Sequence, residues 1–241
     1  MSKYNKIGGG DIDLVSIAKY VKVDALIINN WNSVIQLANN DFFTEDVIGM
    51  EIPILINNVS YTMQLIGVNH DNLADGSGKA NTTWQLKGLL NNYHNMNDTD
   101  TSNGGWKTTS MRTWLNDTIY NQLPNEVKNA IKSVKKEYVT TYNGTTIEIT
   151  NDKLWLLSSA EIGSNYQYKP KANEGTVYSY WKTHNTSGDR VKRTPDLEPH
   201  HWWLRSSYSY TNGFYCTIYT NGTWSFEAAS SSYGVSFAFC I

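Results

Sequence analysis

The sequence predicts an α+β fold in which two helices pack on a small twisted antiparallel sheet, with long irregular loops and a short N-terminal helical segment. Three observations predict it. Apolar stripes at helical spacing follow Ser110 and Pro124. Apolar and polar residues alternate on either side of Asn57-Asn58, Asn143-Gly144 and Asn221-Gly222, dipeptides that favour tight turns. Polar tracts rich in Asn, Asp and Thr, with little periodicity, separate these segments.

Taken in order, Gly8-Gly9-Gly10 precedes Asp11, an N-cap candidate, and Leu14, Ile17 and Ala18 recur at helical spacing. Trp31, Val34, Ile35, Leu37 and Ala38 predict a second helix ending before Asn39-Asn40-Asp41. Residues 1–45 therefore read as a helical attachment. A helical pair this small cannot bury its own apolar face, so it is expected to pack on residues 46–241 or on another subunit. Ile52, Ile54 and Ile56 then alternate, Asn57-Asn58 turns the chain, and Tyr61, Met63, Leu65 and Ile66 return. Trp84, Leu86, Leu89 and Leu90 fit a short helix, and Asn91 to Gly105 reads as loop.

Ser110 is placed as the cap of a helix bearing Met111, Trp114, Leu115 and Ile119 on one stripe, and Pro124 at the first position of the next. Strands are expected over residues 134–141 and 145–149 around Asn143-Gly144, and over residues 154–157. Gly163 to Pro199 reads as a long excursion loop with one helical turn near Tyr178 to Trp181. Trp202 to Arg205 restarts the sheet, and Val235, Phe237, Phe239 and Ile241 close it.

Composition narrows the function. Charged residues make up 17% of the chain and the formal net charge is −2, so there is no electrostatic footprint for nucleic acid or an anionic membrane. Lys128, Lys132, Lys135 and Lys136 form the one basic cluster and read as a solvated helix face running into a strand. No apolar run approaches the ~20 residues of a membrane span, and the N-terminus lacks the apolar core of a secretory signal. The expectation is synthesis in the cytoplasm without a signal peptide, and no membrane insertion. Cys216 and Cys240 are the only thiols and sit in strand-like runs; their spacing leaves one disulfide or two small buried hydrophobes open.

The tract from Ser206 to Ser236 is built from Tyr, Ser, Thr, Asn and aromatic residues, with Glu227 its one charge. Binding loops favour this alphabet, because Tyr and Trp bury much area at little entropic cost while Ser, Gly and Asn supply adaptable hydrogen bonds. The ligand-contact candidates are Tyr208, Tyr210, Asn212, Tyr215, Thr217, Tyr219, Asn221, Trp224, Phe226, Ser231 and Tyr233. A two-residue turn at Asn221-Gly222 would set Tyr219 opposite Trp224 and Thr217 opposite Phe226, gathering Tyr215, Tyr219, Trp224 and Phe226 on one face. Which face is wet stays open.

No catalytic or metal site is called for, and no cofactor. Adjacent His200 and His201 on a strand point to opposite faces, so one packs and one is exposed. His70-Asp71 reads as a structural hydrogen bond at a strand end. Asp152 and Glu161 read as carboxylates that cap nearby backbone, and Arg112 and Arg205 as structural cations. Trp106, Trp114, Trp155, Trp202 and Trp203 read as framework core.

Four ordered segments carry a resemblance: residues 104–116 (GGWKTTSMRTWLN), residues 152–161 (DKLWLLSSAE), residues 202–206 (WWLRS) and a terminal Gly234-Val235 with Phe239-Cys240-Ile241, accompanied by Asn69-His70-Asp71. Over roughly Met50 to Ile241 the chain resembles an uncharacterised domain family of gut bacteria and their phages. Its C-terminal half is similar to the C-type-lectin-like variable proteins of diversity-generating retroelements, although Ser236-Phe237 stand where those proteins tend to carry Arg-Pro. The resemblance implies a C-type-lectin-like domain that recognises a host-surface ligand, protein or glycan, without catalysis. It implies a place on a phage tail or the bacterial cell surface, other tail proteins as partners, and a homo-oligomer, taken as a trimer joined through the N-terminal helices. Two alternatives accompany it: a lectin-fold oxidase similar to formylglycine-generating enzymes using Cys216 and Cys240, and a purely structural tail component.

Overall fold

A computed structural model describes residues 30–241. The helix expected at Leu14, Ile17 and Ala18 lies outside the described residues. Helix α1 (Trp31–Asn39) is capped by Asn30, whose side chain accepts from the Ser33 N–H, and it buries Trp31, Val34 and Ala38. Trp31 Nε1 donates to the Pro53 carbonyl at 3.0 Å, and its ring lies edge-on to Trp84. This part of the expected N-terminal attachment is thus packed into the main core.

The described residues form ten strands in three antiparallel sheets, with few helices. The C-type-lectin-like expectation of two helices on a small sheet is therefore corrected: the architecture is mostly β. The first sheet has the order β1 (Glu51–Ile56), β2 (Val59–Val68), β3 (Thr82–Leu86), β10 (Phe237–Cys240), β6 (Trp155–Leu156). A pair, β4 (Val134–Val139) with β5 (Ile147–Asp152), and a trio, β7 (Trp202–Ser207), β8 (Phe214–Ile218) and β9 (Trp224–Ala228), complete it. The C-terminal strand β10 sits between β3 and β6, so the last residues of the chain tie its two halves together.

The β1–β2 turn follows the sequence rule: Ile56 faces Val59, and Asn57 and Asn58 both adopt positive φ, as a two-residue primed turn requires. β3 replaces the helix expected at Trp84 to Leu90. Residues 82–86 are buried throughout, and Thr82 and Thr83 favour the extended form that a sheet covered on both faces selects.

Helix α2 begins at Ser110, capped by Thr109 rather than by Ser110 itself. It runs as Ser110–Trp114, a π turn over Leu115–Ile119, and Tyr120–Gln122. Helix α3 (Asn125–Ala130) has Pro124 as its N-cap, so it begins one residue later than expected. The β4–β5 connection spans residues 140–146, so Asn143-Gly144 sits inside a longer loop instead of forming a two-residue turn. The expected excursion between 163 and 199 carries two short helices, α4 (Ser179–Thr183) and α5 (Ser187–Arg190), and returns Glu174, Tyr178, Trp181, Arg190 and Lys192 to buried positions.

The β8–β9 turn departs from expectation by one residue. The Tyr219 N–H donates to the Thr223 carbonyl at 2.8 Å and the Gly222 N–H to the Tyr219 carbonyl at 2.9 Å, enclosing a three-residue loop with Gly222 left-handed at φ +79°. Trp224 consequently faces Ile218 and Phe226 faces Cys216. A one-residue slip exchanges the faces of a strand. Trp224 and Phe226 therefore lie on the side of Phe214 and Cys216, away from Tyr215, Thr217 and Tyr219. A Cβ at Gly222 would stand 1.7 Å from the Ser187 carbonyl oxygen. Gly222→Ala is expected to cost about 1–2 kcal/mol from the left-handed backbone alone, read as a lowered urea midpoint at unchanged slope.

Candidate functional site

Two features compete as the site: a charge network inside the fold and an aromatic surface outside it. Asp71, Glu161 and Arg205 of this network lie in segments that carried the family resemblance, while Lys136 and Tyr178 lie outside them. Arg205, on the buried strand β7, makes a two-pronged pair with Glu161, with Nη1 to Oε2 and Nη2 to Oε1 at 3.0 Å. It also donates to the carbonyls of Glu137, Leu156 and Glu174 at 3.1, 2.9 and 2.8 Å. Lys136 bridges the two carboxylates, 2.5 Å from Glu161 and 2.7 Å from Asp71, and donates to Tyr178 Oη at 3.0 Å. Asp71 also accepts from Thr83 Oγ1 at 2.6 Å and from Tyr178 Oη at 2.9 Å.

Lys136 was expected on a solvated face. It is buried because the alternation of Val134, Lys136 and Tyr138 along β4 turns all three inward. That period of two was the available signal. Glu174 and Tyr178 had none, since they come from the aperiodic excursion.

The electrostatics balance internally. Burial by itself pushes the Asp71 carboxyl up, but Lys136 and His70 with hydrogen bonds from Lys136 and Thr83 outweigh it and bring the pKa to about 2. Burial likewise raises Glu161, and Arg205 with Lys136 reverses this to a net lowering. Burial depresses Lys136, while Asp71 and Glu161 more than restore it. Two cations thus face two carboxylates. Glu174 is the exception, raised chiefly by burial, with Oε1 accepting the Val139 N–H at 2.8 Å and Oε2 the Ser206 hydroxyl.

A second cluster joins Asp152 to Arg112 Nε at 2.6 Å, Trp106 Nε1 at 2.8 Å and Thr150 Oγ1 at 2.7 Å. Asn116 accepts from the Lys153 and Leu154 N–H groups, both at 3.1 Å. Arg112 and Arg205 hold carboxylates and carbonyls as expected, and Glu161 caps the Ser158 N–H at 2.9 Å, but Asp152, expected to cap backbone, instead takes the Arg112, Trp106 and Thr150 side chains. A cleft of about 120 Å³ lined by His70, Asn72, Lys135, Glu137 and Thr176 reaches the network. Lys136, Asp71, Glu161 and Arg205 meanwhile hold one another, so their polar groups are spent on the framework.

Cys216 and Cys240 are free and buried, on different sheets. Burial pushes the Cys216 thiol up to about 12, which keeps it from being a thiolate at neutral pH. An open groove of about 490 Å³ is lined by Tyr61, Lys87, Leu89, Arg193, Pro195 and Leu197, among others. Its two cations are already engaged, Lys87 with Glu51 and Arg193 with the Leu197 carbonyl.

The ligand-contact candidates divide. Tyr208, Tyr215 and Thr217 are buried, which corrects their expected display: Tyr215 and Thr217 sit on the inner strand β8, and Tyr208 stacks on Phe226 with centroids 4.0 Å apart. Trp224, Phe226, Ser231 and Tyr233 are half-buried, while Tyr210, Asn212, Tyr219 and Asn221 are exposed. The amide oxygens of the two asparagines serve the backbone: Asn212 accepts from the Ser102 and Gly213 N–H groups, and Asn221 from Thr223 N–H.

The expected single platform is instead two aromatic groups. Tyr166, Tyr168, Tyr208 and Tyr210 meet mostly edge to face, with Tyr210, at 75%, the most exposed large ring among the described residues. Ser209 fixes the group by donating its N–H and hydroxyl to the Tyr168 carbonyl at 3.0 and 2.9 Å. Tyr166 and Tyr168 were missed because their segment has no periodicity. In the second group His201 lies between Tyr219 and Tyr233, with centroids at 3.9 and 5.0 Å, and its Nδ1 stands 3.5 Å from Glu227. His200 packs on Tyr93 instead, and both histidines are half-buried rather than one packed and one exposed.

Among the described residues no helix is long and apolar enough to cross a membrane. A family model described as Domain of unknown function (DUF6273) matches residues 80–241, more than half of the chain, from just before β3 to the end of the described fold. No curated protein and no solved structure matches the chain.

Proposed function

We propose that this chain, which belongs to the DUF6273 family, is a non-catalytic recognition module that grips a ligand on a host cell surface through the tyrosine group around Tyr210. The reading places it on a phage tail or tail-like particle, with the surface segments near the C-terminus open to diversification. The observation that carries it is the contrast between interior and exterior. Charged side chains in the core are committed to one another or to backbone and hydroxyl groups of the framework, whereas Tyr210 stands exposed on a ring cluster immobilised by Ser209, Asn212 and Phe226.

Rigid aromatic anchors of this kind concentrate binding energy in few residues. Removing the Tyr210 ring is expected to weaken attachment of the labelled chain to a panel of gut bacterial cells, read by flow cytometry, by at least about tenfold. The melting temperature should stay unchanged, because Tyr210 supports little of the core. Equal attachment by Tyr210→Ala and the parent chain, or attachment of neither to any cell, overturns the reading.

A further inference from the structure

Asp71 and Lys136 lie 65 residues apart in the chain, yet the backbone holds them side by side. The Lys135 N–H donates to the Asn72 carbonyl at 2.8 Å, the Ala74 N–H to the Ser133 carbonyl at 2.9 Å, and Leu73 bridges Val134. These bonds flank the contact of Lys136 Nζ with Asp71 Oδ1 at 2.7 Å. The amine and both its carboxylates are almost wholly buried, and Nζ stands 4.6 and 5.5 Å from the ring centroids of Trp155 and Tyr178. A structural ion pair needs only two charges in contact. Here a second carboxylate, Glu161, touches the same amine at 2.5 Å, and two hydroxyl donors, Thr83 and Tyr178, sit on the Asp71 carboxyl.

We propose that Lys136 and Asp71 join in an intramolecular amide bond, formed by the folded chain itself with Glu161 as the proton relay. The Nζ lone pair forms a bond to Asp71 Cγ, and the Cγ–Oδ1 bond breaks. Of the three hydrogens on the Lys136 ammonium, one stays on the amide nitrogen. The other two leave with Oδ1 as water, passed through Glu161, which ends ionised as it began. The step needs no oxidant and no co-reactant. The two carboxylates divide by their partners. The Arg205 fork keeps Glu161 an anion, which suits a relay, whereas the hydroxyl donors on Asp71 can equally serve the amide oxygen left at Oδ2.

The ion pair is the resting state, and the reactive form is the minor one in which a proton has passed from the ammonium to a carboxylate. Burial narrows the gap between them, because an apolar surrounding penalises the charges that the transfer removes. Fixed contact supplies the rest: groups held within reach react as though at concentrations of about 10⁵ M or more. A reaction that happens once per molecule needs the minor form only rarely. The cleft that reaches Asp71, Lys136 and Glu161 gives the water a way out. The bond ties β4 to the segment after β2 in a chain whose two cysteines are free, and it narrows the unfolded ensemble as a disulfide does. Asp71 carries its charge only until the bond closes. The linkage does not depend on what Tyr210 binds.

Intact-mass spectrometry and peptide mapping of the full chain test it. The parent should be lighter than its sequence by one water, and a branched peptide should join the segments around Asp71 and Lys136. Asp71→Asn should reach the same mass as the parent, because it forms the same amide and releases ammonia in place of water. Lys136→Arg should keep its full mass, and so should Glu161→Gln while still unfolding cooperatively in urea. A parent of full mass overturns the proposal whether or not any variant folds. So does a lost water that maps to Asp75-Gly76, a pair able to cyclise on its own backbone, or a branch from Lys136 to Glu161. Closure of Glu161→Gln at the parent's rate overturns the relay.

Discussion

Arg205→Ala is expected to lower the stability of the fold by about 3–5 kcal/mol, the usual consequence of removing one partner from a buried ion pair. Arg205 is fully buried, and its guanidinium serves Glu161 and three carbonyls from separate parts of the chain. Alanine leaves a carboxylate and several acceptors without donors and opens a cavity beside them. For a chain of this length the loss corresponds to a fall of roughly 10 °C in Tm. Urea unfolding checks the size, and Arg205→Met with Glu161→Leu should recover a large part by removing the orphaned charge as well. A loss under about 1 kcal/mol for Arg205→Ala would mean that the network is not what holds β4, β6 and β7 together.

The second large effect is on acid stability. Asp71 and Glu161 both titrate lower in the folded protein than in the unfolded chain. Their contribution is therefore complete above the unfolded carboxylate range near 4 and disappears as pH falls through the folded values. For Asp71, held at about 2, this amounts to about 2–3 kcal/mol.

Glu174 runs the other way. Its folded pKa is raised, so its contribution is present at low pH and is lost as pH rises through the folded value. The protein should thus unfold between about pH 4 and pH 2. Glu174→Gln, a neutral replacement, should be more stable than the parent at pH 7 and equal to it near pH 4. Urea midpoints across this range decide both points. A parent chain insensitive to pH below 4 would remove the charged state assigned to Asp71 and Glu161.

How far the sequence can be read is shown by its turns. Asn57-Asn58 forms the turn its residue types favour, because both asparagines tolerate positive φ and the strands pair without a break from Ile56–Val59 to Glu51–Gln64. Asn221-Gly222 carries an equally strong signal, yet Gly222 takes the third place of a longer loop pressed against Ser187. That single residue of register moved Tyr215 and Thr217 to the face opposite Trp224 and Phe226. Tyr210 lies outside the paired strands, so its exposure did not depend on the register.

From the sequence alone came the alternating strands, the caps near Ser110 and Pro124, the framework roles of Trp106, Trp155, Trp202 and Trp203 and the structural roles of Glu161, Arg112 and Arg205. These follow from local backbone preference and from the cost of burying an unpaired charge, both of which reside in residue type and short spacing. Tertiary structure alone decided that the fold is mostly β, that Thr82–Leu86 is a strand, that Lys136 meets Asp71 and Glu161, and that Tyr166 and Tyr168 join Tyr208 and Tyr210. Each of these depends on partners distant along the chain, because a short apolar segment takes the conformation its neighbours can hydrogen-bond, and a side chain is buried or displayed according to what packs over it.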